Sequence, residues 1–305
     1  METANSGDVD NFKTVFKYFK QKAQAPCYRD VIDFQTQRNN MTINKVPIEG
    51  FCNDMGLRFS KSLTVLQPDS IPGLSFICNP FTEEGQQLWS KRCLEMYPLQ
   101  PSKTNIGDVT HSNDVWKNWC KSVNGFASSK LGNNKGQLQV LKSSPIWKLR
   151  WVTLGYHHNW DTKVYSDDNV SLFPPELNQL ANVFATAVGE PKYNAEAAII
   201  NYYHVGSTLS PHTDHSEKNL KAPLISISFG LPAIFLIGGL NKAQTPQAIL
   251  IRSGDVIIMS EKSRLSYHAV PRILECDVEK PRYDPKELFL AHSRINMNIR
   301  QVLTS

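Results

Sequence analysis

His212, Asp214 and His268 are the first residues from which chemistry can be argued. Two imidazoles and one carboxylate form the donor set that holds Fe(II) on one octahedral face and leaves positions open. His212 and Asp214 stand two apart, so an extended segment projects both side chains the same way. His268 follows Asp214 by 54 residues, room for four strands that return the chain to the same end. A second set lies near the C-terminus, where Arg294-Ile295-Asn296-Met297-Asn298-Ile299-Arg300 alternates polar and apolar residues. That is a strand pattern with 294, 296, 298 and 300 on one face. Guanidinium groups remain charged and bind carboxylates bidentately, so this face reads as a carboxylate clamp.

A metal face beside a carboxylate clamp is what an Fe(II)/2-oxoglutarate oxygenase requires. Six residues of strand span about 20 Å, so Arg294 and Arg300 cannot grip one carboxylate together. One is expected at the distal carboxylate of the co-substrate, the other at the metal end or the substrate side. Zinc hydrolysis is the rival chemistry. The chain has neither a His-Glu-x-x-His helix nor the His-x-Glu with Cys-x-x-Cys of nucleobase deaminases. A zinc site would also leave the arginines without a task. His215 follows Asp214 directly, points the other way on an extended chain, and reads as a rim residue.

The elements that must position these groups are mostly short apolar strands. Ala197–Val205, Leu224–Phe229, Ala233–Ile237, Ala248–Ile251, Asp255–Met259 and Arg294–Val302 are divided by turn signals such as Gly238-Gly239 and Ser253-Gly254-Asp255. This spacing predicts a sandwich or jelly roll. Earlier, Ile71–Cys78 and Trp147–Tyr156 read as strands. Thr82 reads as the N-cap of a helix running to about Met96, and a short helix is expected over Val115–Val123. Pro174-Pro175 opens a helix with Leu177, Leu180, Val183, Phe184 and Val188 at helical spacing, closed by Gly189. Ser128–Ser144 reads as a mobile loop. Residues 12–24 form a basic amphipathic pattern that fits a surface helix docked by its Phe face, with a nucleic-acid-contacting or targeting helix as the alternative. Residues 26–70 carry few periodic signals and are expected to wrap over the domain. The fold class is α+β, with residues 1–70 as an N-terminal helix and extension and 71–305 as the catalytic domain.

The chain has 305 residues, 41% hydrophobic and 20% charged, which places it in the soluble globular class. Its longest apolar run, near Ala233–Leu240, is too short to span a bilayer, and no membrane partner is expected. Glu2, Asp8 and Asp10 precede any apolar stretch and argue against a secretory signal. Cys27, Cys52, Cys78, Cys93, Cys120 and Cys276 form no Cys-x-x-Cys pair, which favours a reducing compartment; nucleus, mitochondrion or both is the expected location, with cytoplasm as the alternative. A net charge of +5 permits nucleic-acid binding. Lys262, Arg264 and Arg272 flank His268, and Lys142, Lys148 and Arg150 flank Trp151. All six are candidates for a phosphate track.

Asn201-Tyr202-Tyr203, His212-Thr213-Asp214, His268 and the stretch Arg294–Arg300 together resemble the AlkB family of nucleic-acid dioxygenases. LRWVTLGYHHNWD (149–161), SFGLPAIFLIGGL (228–240) and SGDVIIMSEKSRLSYHAVPRIL (253–274) are closer still to its homologue 1 branch of animals. The resemblance covers roughly residues 70–303. It implies a double-stranded β-helix, with Fe(II), 2-oxoglutarate and O2 as cofactors. It makes His212, Asp214 and His268 the iron ligands and Asn201, Tyr203, Arg294, Asn296 and Arg300 the 2-oxoglutarate pocket. Trp151 falls near the aromatic that stacks on a flipped base, with core packing as the alternative, and Tyr156 near a rim tyrosine. Two positions depart from the family: Asn298 stands where Thr or Ser is usual, and Ser216 where the bacterial founder carries a base-reading acid.

By this resemblance the reaction hydroxylates a methyl group on a base. On nitrogen the hydroxylated product falls apart to formaldehyde, and on carbon it is stable and can be oxidised further. The expected partner is methylated DNA or tRNA, unpaired or bulged, since a base inside a duplex must be flipped out to react. N6-methyladenine, 1-methyladenine and 5-methylcytosine are the marks associated with the branch, acted on here by a monomer. A protein methyl-lysine oxygenase and an abasic-site lyase are the alternatives from other classes.

Overall fold

A computed structural model describes residues 9–47, 54–58, 62–127, 134–276 and 284–304. Helix α1 (Asn11–Lys20) precedes strands β1 (Met41–Pro47), β2 (Ser62–Pro68) and β3 (Leu74–Ile77). Helix α2 (Glu83–Lys91) runs on into a π-helical turn over Arg92–Met96. Strand β4 (Lys103–Thr104), helices α3 (Val115–Ala127) and α4 (Asn134–Ser143), strand β5 (Trp151–Gly155) and helix α5 (Pro175–Thr186) follow. The remainder is β6 (Ala197–His204), β7 (Leu209–His212), β8 (Leu224–Gly230), β9 (Ala233–Ile237), β10 (Gln247–Ile251), β11 (Val256–Met259), β12 (His268–Ile273), α6 (Pro285–His292) and β13 (Ser293–Arg300).

Among the described residues these strands build two antiparallel sheets. The major sheet has the order β1-β2-β3-β11-β8-β13-β6-β5-β4 and the minor sheet β10-β9-β12-β7. This is the jelly roll expected from the strand spacing. Period-two alternation sorts the core. On β11, Val256 and Ile258 face the helices while Ile257 and Met259 face the minor sheet. On β13, Ile295, Met297 and Ile299 face the helices, where they pack with Phe184 and Phe289. The intervening residues 294, 296, 298 and 300 therefore face the space between the sheets. Two-faced burial of this kind accounts for most of the stability of such a domain.

Several expected elements hold with shifted ends. Thr82 caps α2 by accepting from the Gly85 N–H at 3.0 Å. Trp147–Tyr156 divides into a 3-10 turn (Pro145–Lys148) and β5. Gly155 ends β5 at φ +67, where a Cβ would lie 2.0 Å from the Glu196 carbonyl, so the chain turns there as only glycine allows. The expected loop over Ser128–Ser144 is corrected in part: residues 134–143 form α4, with Leu141 buried, and 128–133 lie outside the described residues. Residues 41–68 do more than wrap the domain. β1 and β2 form a hairpin, and β2 pairs with β3, so the major sheet continues across the division expected near residue 70.

Helix α1 docks as its sequence suggests. Asp10 caps it, and Phe12, Phe16 and Phe19 bury one face against Ile234, Leu236, Ala248 and Ala269 of the minor sheet. No described helix is long and apolar enough to cross a membrane. Five cysteines are free thiols, and Cys52 lies outside the described residues.

Candidate active site

β7 and β12 are neighbours in the minor sheet, and their register sets His212 opposite His268. Asp214 follows β7 by two residues. One ligand atom from each of the three lies within 4.8 Å of the others. The imidazole centroids are 4.3 Å apart, and His268 Nε2 is 3.5 Å from Asp214 Oδ2. Each ring is fixed from behind. The Nδ1 of His212 meets the Ser210 carbonyl at 2.9 Å, and the Nδ1 of His268 meets the Ser266 carbonyl at 3.1 Å. A carbonyl only accepts, so both Nδ1 atoms carry the proton and both Nε2 lone pairs remain to bind a metal.

The carboxylate is arranged to match. Arg300 Nη2 donates to Asp214 Oδ1 at 3.0 Å, whereas Oδ2 is buried without a hydrogen-bond partner. Burial alone would raise the Asp214 carboxyl, but Arg300 and the two imidazoles outweigh it and hold it well below the usual carboxylate range. Burial, and then repulsion from His268, brings His212 down to about 4, so its ring is neutral at physiological pH. Two imidazoles with Nε2 turned inward and one ionised carboxylate, with an orphaned oxygen among them, fit a divalent iron ion.

A polar row crosses the inner face of the major sheet beside this cluster. Asn296 is in register with Asn201 on one side and Ser228 on the other, and Asn201 with Trp151 beyond. Arg294 is in register with Tyr203. Arg294 is only 2% exposed and donates from Nη2 to Ser228 Oγ at 2.6 Å. Its Nε and Nη1, and the Tyr203 hydroxyl, are buried without partners. Burial pulls the guanidinium down to about 10, so it is still a cation at neutral pH. Burial also pushes the Tyr203 phenol up, so it is a neutral donor. A buried cation with two unused donors beside a third fits one carboxylate, the distal group of 2-oxoglutarate. Asn296 Nδ2 is engaged by Ser226 Oγ at 2.8 Å and the Ile227 carbonyl at 3.2 Å.

The remaining residues divide. Trp151 shares a face with Asn201, is half-buried, and stands 5.1 Å from Trp160, so it borders the inner face. Trp160 is 46% exposed and contacts His158, whose Nε2 is 3.1 Å from Ser216 Oγ. Tyr156 turns aside, donating its hydroxyl to Asp167. Lys262, Lys142, Lys148 and Arg150 are exposed, as a phosphate track requires.

Arg264 and Arg272 do not belong to such a track. Arg264 is 2% exposed, with all three of its nitrogens engaged by Asp214, Glu217 and Ala222. Arg272 closes the C-terminal end of α1 through the Phe19 and Gln21 carbonyls. Sequence reasoning missed Ser226, Ser228 and Glu217. The alternation in Leu224-Ile225-Ser226-Ile227-Ser228 could have revealed the serines; nothing local marks Glu217.

Residues 73–300 match the model of the 2OG-Fe(II) oxygenase superfamily. The chain is 33% identical to the nucleic acid dioxygenase ALKBH1 of Mus musculus, over 97% of this chain and 85% of that one. It is 35% identical to the tRNA demethylase abh1 of Schizosaccharomyces pombe, over 77% and 80% of the two chains. It is 34% identical to the DNA N(6)-methyladenine demethylase ALKBH1A of Arabidopsis thaliana, over 81% of each. The chain thus belongs to the 2OG-Fe(II) oxygenase superfamily, within its AlkB homologue 1 group, and is a dioxygenase using Fe(II), 2-oxoglutarate and O2.

Proposed function

We propose that the protein oxidatively demethylates methylated bases in nucleic acid: N6-methyladenine in unpaired or bulged DNA and 1-methyladenine in tRNA, with oxidation of 5-methylcytosine in tRNA by the same site. The observation that carries this reading is the buried, partly unpartnered Arg294 beside the His212–Asp214–His268 cluster, in a chain similar along most of its length to enzymes named as a nucleic acid dioxygenase, a tRNA demethylase and a DNA N(6)-methyladenine demethylase. His212, Asp214 and His268 hold the iron through two Nε2 atoms and Oδ2. Arg294 and Tyr203 take the distal carboxylate of 2-oxoglutarate, with Asn201 and Asn296 lining the pocket between. Arg300 serves the metal end by fixing Asp214. Bound there, Fe(II), 2-oxoglutarate and O2 supply the oxidant that hydroxylates a methyl C–H bond.

The chain's own part is placement. Arg294 and Tyr203 are both buried, so the guanidinium acts at low dielectric. Trp151, Trp160, His158 and Ser216 border the mouth where an extruded base would enter. Exposed Lys142, Lys148, Arg150 and Lys262 supply phosphate contacts, whose weakening by salt is a signature of nucleic-acid binding. An unpaired or bulged base costs less to extrude, which favours such substrates.

The test is incubation with Fe(II), 2-oxoglutarate, O2 and a panel of methylated hairpin DNA, bulged DNA and tRNA, with His212→Ala as control. Digested nucleosides are then quantified by mass spectrometry. Loss or oxidation of one mark, absent with the variant, is the expected result. Unchanged marks, with succinate formed only when methylated peptides are added, would move the substrate to protein.

A further inference from the structure

Two buried charged residues next to the ligand cluster, Arg264 and Glu217, take part in neither the metal cluster nor the 2-oxoglutarate clamp. Resting on the reading that His212, Asp214 and His268 bind metal, we propose that they are a positioning pair that assembles the metal face before the ion arrives. Arg264 makes three bonds to the segment after β7: Nη1 donates to the Asp214 carbonyl at 2.7 Å, Nη2 to Glu217 Oε2 at 3.0 Å and Nε to the Ala222 carbonyl at 2.9 Å. It thereby holds the start, middle and end of the loop that carries Asp214.

Arg264 itself lies four residues before His268, on the chain that delivers the third ligand. One guanidinium therefore joins the two segments whose separation sets the distance from Asp214 to His268. Glu217 extends the brace. Its side chain is 1% exposed, and its other oxygen, Oε1, forms an ion pair with Arg300 Nε at 2.7 Å. Arg300, held on that side, presents Nη2 to Asp214 Oδ1, which leaves Oδ2 for the ion. Asp214 cannot turn without breaking the Arg300 contact, and the loop cannot shift without breaking those of Arg264.

Fold stability alone gives a weak reason for such a group. Four buried charges cost more in lost hydration than a packed apolar substitute would, unless orientation is what they serve. Outer partners of metal ligands typically contribute 10–100-fold in affinity, which is the size of effect expected. The geometry also calls for arginine specifically: a lysine in its place keeps the charge but cannot span three acceptors in a plane.

The experiment is titration of the metal-free full chain with Co(II), without 2-oxoglutarate, followed by visible absorption, with melting curves recorded alongside. Arg264→Lys preserves charge. The pair Glu217→Gln with Arg264→Met removes one charge of each sign and leaves Arg300–Asp214 balanced. Wild type should bind Co(II) and His268→Ala should not. Arg264→Lys, melting cooperatively, should bind about 10–100-fold more weakly, and the double variant at least as weakly. Arg264→Lys binding within about twofold of wild type would overturn the inference while leaving the metal reading intact. No Co(II) binding by wild type would overturn the metal reading itself.

Discussion

Arg294→Met separates co-substrate binding from folding. In the protein alone, Arg294 is a buried cation with one hydrogen bond and two unused donors. A guanidinium pulled by burial to about 10 has lost on the order of 3 kcal/mol of preference for its charged form. Methionine removes that cost, fills similar volume, and forfeits the Ser228 bond, worth about 1.5–3 kcal/mol for a charged donor. The two effects nearly cancel, so the ligand-free variant should melt within a few degrees of wild type. Binding should respond quite differently. Loss of one partner from a desolvated charge pair costs about 2–5 kcal/mol, or roughly 30-fold to several-thousand-fold in the Kd for 2-oxoglutarate. Melting curves with Mn(II), with and without 2-oxoglutarate, read both quantities. At 100 times the wild-type Kd the co-substrate should stabilise wild type by about 2.7 kcal/mol and the variant by about 0.9 kcal/mol or less. Calorimetric titration gives the Kd directly. An undiminished 2-oxoglutarate shift in Arg294→Met would refute the assignment of the clamp, and a ligand-free loss of several kcal/mol would refute the accounting of its burial.

Arg300→Met should do the reverse, lowering the stability of the ligand-free chain by about 3–5 kcal/mol in denaturant titrations, because Asp214 and Glu217 are left buried beside a missing cation. Phe12→Ala should cost about 3–5 kcal/mol by the same measurement, since Phe12 is fully buried between α1 and the minor sheet. His157 and His204 are buried and held down at about 4 and about 3, chiefly by burial. The unfolded chain takes protons near 6.5 that the folded chain refuses, so their contribution is full above 6.5 and lost as pH falls toward 4. Stability should therefore drop by on the order of 3 kcal/mol for His157 across that window, and His157→Gln should flatten the curve. Trp151→Ala should raise KM for methylated nucleic acid about 5- to 150-fold, the range of one lost base–aromatic stack, with 2-oxoglutarate KM unchanged; equal KM for both proteins would return Trp151 to a packing role.

The ligands and the clamp were legible because strand periodicity carries them. Residues 294, 296, 298 and 300 alternate with Ile295, Met297 and Ile299, and a two-residue repeat needs no tertiary knowledge to read. The edge hairpin was not legible, because β1 is exposed on most of its length and shows no buried alternation. α4 was hidden by Asn-Asn-Lys-Gly, a turn signal that neighbouring packing overrides at Leu141. Arg264 and Arg272 read as surface cations because sequence reports charge and not burial. What buries Arg264 is a glutamate 47 residues earlier, a pairing set only by the return of the chain from β7 to β12.

That pairing also explains why two arginines on one strand face behave so unlike one another. Arg300 meets Asp214 and Glu217, and Glu217 meets Arg264, so the metal end is electrically closed within the protein. Arg294 donates to a serine hydroxyl and, among the described residues, forms no ion pair at contact distance, so the co-substrate end stays electrically open. The six-residue offset that forbids a joint grip thus divides the labour. One arginine keeps a carboxylate of the protein in place, and the other keeps a positive charge waiting for a carboxylate from solution. A site built this way gains little fold stability from Arg294 and depends on Arg300 for its shape.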